Sequence, residues 1–193
     1  MKNKQIQEER IKGYFIEATK SILKGEGLKS ISVRNIADQA GYSYATLYNY
    51  FKDVNELVFE CVKDFQQECV EMVASETKEL PLGTGRIKAI AKSYVKYFIQ
   101  YPGIFELFFI EKPTRGQDAI LELINTFFDR LCSEDWEYCI AQKLVFEQST
   151  QIIKPQLNYI LTGIMIFYIN RRHPSNYQEL MQTLEKQLSH ILP

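Results

Sequence analysis

Apolar residues recur at helical spacing along nearly the whole chain, and glycines and prolines cut that pattern into segments. Ile11, Phe15, Ala18 and Ile22 share one face, and Gly25-Glu-Gly27 ends this first helix. Val33, Ile36, Ala37 and Ala40 make a second face, with Ser32 as its N-cap and Gly41 as its stop. Tyr42 returns to the core and Ser43 caps the next helix, which Leu47 and Phe51 pin inward. Asp53, with Glu56 three residues on, has the spacing of a capping box. It opens a long helix from Val54 to about Lys78, with Leu57, Val58, Cys61, Val62, Phe65, Cys69 and Met72 inward.

The pattern continues to the C-terminus. Pro81-Leu-Gly-Thr-Gly85 breaks the long helix, and another runs from Arg86 to about Gln100. Tyr101-Pro-Gly103 is a turn before a short aromatic helix to Ile110, and Lys112-Pro-Thr-Arg-Gly116 reads as a loop. Asp118 to Leu131 is helical. Residues 133–154 suggest helix through Trp136, Ile140, Leu144 and Val145, with Pro155 interrupting any long one. A helix from Leu157 to Arg172 is apolar on nearly every side, and the last helix carries a stripe of Tyr177, Leu180, Met181, Leu184, Leu188 and Ile191. No alternating run has the flanks of a strand, so the fold class is all-α.

Two short helices joined at Gly41 have the layout of a helix-turn-helix, whose second helix enters the DNA major groove. Once the apolar positions are assigned to the core, Tyr44, Ala45, Thr46, Tyr48, Asn49 and Tyr50 remain for the outer surface or its edges. Hydroxyls and amides can reach phosphates or base edges, and small side chains allow close approach to a thymine methyl. An ordinary helical hairpin with a glycine stop is the plainer reading, but here both caps, the glycine and the aromatics agree.

At these residues the sequence resembles the tetracycline-repressor (TetR) family of bacterial transcription regulators. The resemblance runs from about Ile11 to Leu57 and rests on Ile36-Ala37, Ala40-Gly41, Ser43, Thr46-Leu47-Tyr48, Tyr50-Phe51 and Leu57. It implies an all-α homodimer: a three-helix DNA-binding head over residues 1–53 and a larger helical effector-binding and dimerisation bundle over 54–193. It further implies that Ser32 and Arg34 start the first motif helix near the DNA backbone, and that Ser43, Tyr44, Ala45, Thr46 and Tyr48 face DNA. The chain departs from the pattern at one point. The family's Phe-x-x-Lys-x-x-Leu has Val54 at the lysine position, leaving Lys52, two residues earlier, as the candidate for that phosphate contact.

Charge adds modest support. The net charge is −1; residues 1–53 hold nine Lys/Arg against six Asp/Glu, and the remainder fourteen against eighteen. A mildly basic head on an acidic body suits DNA binding at one end. The four cysteines form no C-x-x-C pair, and with two histidines no metal or cofactor constellation emerges. Cys61 and Cys69 would stand roughly 12 Å apart along one helix, too far for a disulfide. The N-terminus has no hydrophobic signal region, and the densest apolar run, Ile160 to Ile169, falls short of the roughly 20 residues of a membrane span. A cytoplasmic protein without membrane contact is expected.

The body suggests how such a head would be controlled. The helix from Leu157 and the striped last helix can form an intersubunit four-helix bundle, using Leu157, Ile160, Ile164, Tyr168, Leu180, Met181, Leu184 and Leu188. Between the middle helices, Tyr94, Phe98, Tyr101, Phe105, Phe108, Phe127, Phe128 and Trp136 are candidates to line a pocket for a small hydrophobic effector. The expected function is a ligand-responsive regulator, in the family's commoner mode a repressor, that binds a near-palindromic double-stranded DNA operator as a homodimer. The alternative is a helical protein-interaction module with a degenerate head. No Gly-rich phosphate loop, HExxH or GxSxG is present, so an enzyme is not expected.

Overall fold

A computed structural model describes residues 2–111 and 118–193. The loop expected at Lys112–Gly116 lies outside the described residues. Among them there are helices and turns and no strand. The helices are α1 (Lys2–Gly25), α2 (Val33–Ala40), α3 (Tyr44–Leu47), α4 (Val54–Thr77), α5 (Thr84–Gln100), α6 (Pro102–Phe109), α7 (Asp118–Asn125), α8 (Phe127–Leu131), α9 (Ser133–Ala141), α10 (Glu147–Ile169) and α11 (Tyr177–Ile191). The fold is the expected all-α one, with a small helical head and a larger helical body.

The chain forms two compact units. One is Met1–Gln67 with Tyr101–Lys112, and the other is Glu68–Gln100 with Pro113–Pro193. The start of α4 and all of α6 go with the head unit.

In the head, Phe15, Ala18, Ile22, Ile36, Leu47, Phe51 and Leu57 make one buried core. These are the apolar positions of the sequence pattern, and burying each large side chain is worth about 1.5–3 kcal/mol. Lys20 on α1 reaches both Glu17, at 3.0 Å, and Asp64 on α4, at 3.2 Å. The paired carboxylates outweigh burial and hold its pKa above the usual lysine value. Pro102 opens α6, where a missing N–H costs nothing. Gly103 behind it packs on the end of α1: a methyl group there would overlap the Leu23 carbonyl oxygen and stand 2.7 Å from Gly27 Cα.

In the body, α5 is central and packs against α8, α9, α10 and α11. Ile87, Ile90, Ala91, Ser93, Tyr94, Val95, Tyr97 and Phe98 are its buried residues. Lys92 pairs with Glu185 on α11. The buried carboxylate of Asp135 on α9 accepts the Gly83 N–H at 3.0 Å and lies 3.6 Å from Arg86.

Three expectations for the body need correction. Pro155 does not interrupt the chain's helical course but sits inside α10. A proline removes a single N–H, and the buried row Leu157, Leu161 and Met165 holds the helix beyond it. Conversely, the helix expected from Asp118 to Leu131 is divided at Thr126, whose hydroxyl bonds the Glu122 carbonyl at 2.7 Å. Finally, α10 has 23 residues and a mean hydropathy of 1.3 in its most apolar stretch, so by length and composition it is long enough to cross a membrane. The run Ile160–Ile169 alone concealed this.

Candidate nucleic-acid interface

The local geometry of α2 and α3 follows from their end residues. Ser32 is extended (φ −148°) and its hydroxyl accepts the Asn35 N–H at 3.1 Å. Asn35 in turn donates its side-chain amide to the Ser30 carbonyl at 2.8 Å. Gly41 takes the left-handed conformation (φ +76°) that favours glycine, and Tyr42 N–H returns to the Ala37 carbonyl at 3.0 Å. Ser43 caps α3 by accepting the Thr46 N–H at 3.1 Å, and the two hydroxyls are 2.9 Å apart. α3 is shorter than the apolar pair Leu47 and Phe51 suggested: it ends at Leu47 and continues as turns through Tyr50. Both side chains are nevertheless fully buried.

The DNA-facing candidates then separate by exposure. Tyr44 and Tyr48 are 67% and 52% exposed. Ser32, Arg34, Ser43, Ala45, Asn49 and Lys52 are also exposed, whereas Thr46 is half-buried. Tyr50 is turned partly inward, its ring 6.4 Å from that of Phe15. Arg34 lies 3.8 Å from Asp38, both open to solvent, so the pair is worth little and the guanidinium is free to exchange it for a phosphate. Lys52 donates its backbone N–H to Glu56 at 2.6 Å while Asp53 accepts the Glu56 N–H at 2.9 Å. The capping box thus closes one residue earlier than its usual form. Val54 is half-buried against the head core.

Two neighbours of this surface were not legible from the motif. Tyr14 stacks on Tyr42, with ring centroids 6.1 Å apart, and the Lys12 ammonium lies 5.3 Å over the Phe51 ring. Both come from α1, and only the tertiary packing brings them there.

The remaining candidates fare unevenly. Tyr94, Phe98, Phe127 and Phe128 meet in the body: the Tyr94 ring is 4.8 Å from Phe98, 5.9 Å from Phe127 and 5.2 Å from Phe128. Trp136 is buried in the same unit under the Lys154 ammonium, 5.6 Å away, and its indole N–H has no hydrogen-bond partner. Tyr101, Phe105 and Phe108, in contrast, belong to the head unit, where Lys24 lies 5.2 Å over the Tyr101 ring. Leu157, Leu180, Leu184 and Leu188 are completely buried within the single chain. They are core residues, a correction to their assignment to a subunit interface. Ile160, Ile164, Tyr168 and Met181 stay partly open, beside the exposed Tyr159 and Phe167. Among the described residues no group of three His, Cys, Asp or Glu side chains is placed to hold a metal ion.

Comparison with known proteins agrees with this geometry. Residues 15–61 match the model of the bacterial regulatory proteins of the tetR family. An uncharacterized HTH-type transcriptional regulator of Haemophilus influenzae is 21% identical over 153 residues, spanning 77% of this chain and 75% of that one. The HTH-type transcriptional regulator PksA of Bacillus subtilis is 33% identical over 70 residues, 36% of this chain and 34% of that one. The crystal structure of the transcriptional regulator FadR from Bacillus subtilis, in complex with stearoyl-CoA, shares the fold with a TM-score of 0.74. The match covers 93% of this chain and 96% of that one at 14% identity. Residues 15–61 thus carry the sequence of the tetR family of bacterial regulatory proteins, and over 93% of its length the chain shares the fold of the transcriptional regulator FadR.

Proposed function

We propose that the protein is a ligand-responsive transcriptional repressor that binds a near-palindromic operator as a homodimer in the cytoplasm. The observation that carries the reading is the surface formed by Ser43, Tyr44, Ala45, Tyr48 and Asn49. These side chains are exposed on a segment whose inward residues, Leu47 and Phe51, are fixed in the head core. Arg34 and Lys52 flank it as phosphate contacts, while Tyr44 and Thr46 read base edges. A two-fold pair of such heads, about 34–36 Å apart, reads two half-sites one turn apart.

The second copy docks on the partly open face of α10 and α11, through Ile160, Ile164, Tyr168 and Met181 with Tyr159 and Phe167. This cover for α10 is preferred to lipid because Glu147, Lys154 and Asn158 lie on the same helix. A small hydrophobic effector enters the aromatic part of the body; the fold neighbour FadR, crystallised with stearoyl-CoA, supports that class. Effector binding favours a dimer whose heads no longer fit the operator, releasing DNA by population shift.

Selection from random duplex DNA with the purified protein tests the reading, followed by titration of the selected site at several salt concentrations. A near-palindrome bound by dimers with a steep salt slope is expected. A folded dimer that enriches no sequence, with or without long-chain acyl ligands, would overturn it.

A further inference from the structure

The head carries a groove lined by none of the side chains proposed above to contact DNA. It is open to solvent on one side and has a volume of about 580 Å³, within the roughly 300–1,000 Å³ of small-molecule sites. Its lining comes from three places in the head: Leu28 and Ile31 around the loop after α1, Val54 and Val58 on α4, and Leu107 on α6 with Ile110 just beyond its end. Ile31 and Val54 lie directly on the buried head core, so the floor is fixed.

The polar part of the lining is unequal in charge. Glu106 and Glu111 contribute two carboxylates against the single ammonium of Lys29. Neither Glu106 nor Glu111 forms an ion pair among the described residues. Val54 sharpens the asymmetry, because it stands where the resemblance to the family places a lysine. A lysine there would extend a second cation from the same lining position. The valine instead adds apolar surface and, among the described residues of the lining, leaves the carboxylates in excess.

An apolar floor with a net negative rim selects a particular chemistry. From this geometry we infer that the head binds a lipophilic cation, its apolar body on Val54, Val58, Leu107 and Ile110 and its charge between Glu106 and Glu111. Burial of the body supplies the affinity, and the carboxylates discriminate by sign. The site is separate from the aromatic cluster of the body.

The test uses the full-length protein without DNA, so its result is independent of whether an operator is ever found. Tetraphenylphosphonium and tetraphenylborate have almost the same shape and opposite charge. Each is titrated while the methyl NMR signals of Val54, Val58, Leu107 and Ile110 are followed. The phosphonium should shift these signals saturably, and the borate should not. Glu106→Gln with Glu111→Gln should weaken the phosphonium about tenfold, as loss of two partly exposed ion pairs implies. Val54→Lys, checked for an unchanged melting transition, should weaken it at least as much. Equal shifts with both ions, no shift with either, or unchanged affinity in the double glutamine variant would each overturn the inference.

Discussion

Gly103 and Leu23 are locked together backbone to backbone: the second α-carbon of α6 rests on the last-turn carbonyl of α1, with no space for a methyl group between them. The glycine is therefore required by contact. Its own backbone angles are available to any residue.

Gly103→Ala should destabilise the protein by about 1–3 kcal/mol through overpacking, since neither backbone can give as a side chain would. Urea unfolding measures this directly. Gly13→Ala, where nothing lies within 4 Å of the new carbon, is the control and should be neutral or slightly stabilising. Equal midpoints for both variants would show that α6 does not press on α1.

Contacts to phosphate and contacts to bases should separate by mutation. Lys52→Ala and Arg34→Ala should weaken binding to all duplexes alike and reduce the salt slope by about one each. Tyr44→Ala and Thr46→Ala should instead change which sequences are preferred, by about 1–3 kcal/mol at the affected base pair. Repeating the selection with each variant distinguishes the two. An unaltered preference in both Tyr44 and Thr46 variants would remove them from base reading.

The partly open face of α10 and the buried row of α11 predict opposite phenotypes. Ile164→Glu places a charge on the proposed subunit contact and should yield a folded monomer by sedimentation. Leu184→Ala removes a fully buried side chain and should cost about 2–5 kcal/mol in stability. A dimer that survives Ile164→Glu unchanged would place the second copy elsewhere.

The thiols of Cys61 and Cys69 should be silent in the native protein. Burial pushes both from the ordinary value of 9.0 up to about 12, and Cys132 is raised well above its usual range for the same reason. A thiol-specific reagent at pH 8 should therefore label these positions only after unfolding. Because the folded pKa lies above the unfolded one, the stabilising difference is complete below pH 9 and is lost as pH rises from 9 towards 12. Fast native-state labelling of Cys61 or Cys69 would contradict their burial.

The parts of the fold legible in the sequence are those decided locally. Ser32, Gly41, Ser43 and Asp53 each act on backbone groups within a few residues, so the head could be read almost residue by residue. What depended on distant packing could not. Pro155 looked like a stop because its effect on an isolated helix is large, yet the row Leu157, Leu161 and Met165 outweighs one missing hydrogen bond. Periodicity marked Tyr94 and Phe105 as equally inward but did not show that α6 packs with the head and α5 with the body. The stripe on α11 was also correct as a stripe; that its leucines face α5 and α10, and not a second chain, is a property of the folded unit. Tyr14 and Tyr42, far apart in the chain, had no signal linking them at all.

Trp136 is the sole tryptophan of the chain, and it lies buried in the body with a lysine ammonium over its ring and its indole N–H unpaired. Indole emission is sensitive to a nearby charge and to a new hydrogen bond, so the body carries its own optical reporter. The head contains only tyrosines. Light absorbed at the red edge, where tyrosine does not absorb, should therefore register events in the body alone, and a molecule that dims or shifts this glow can be sought before any operator is known.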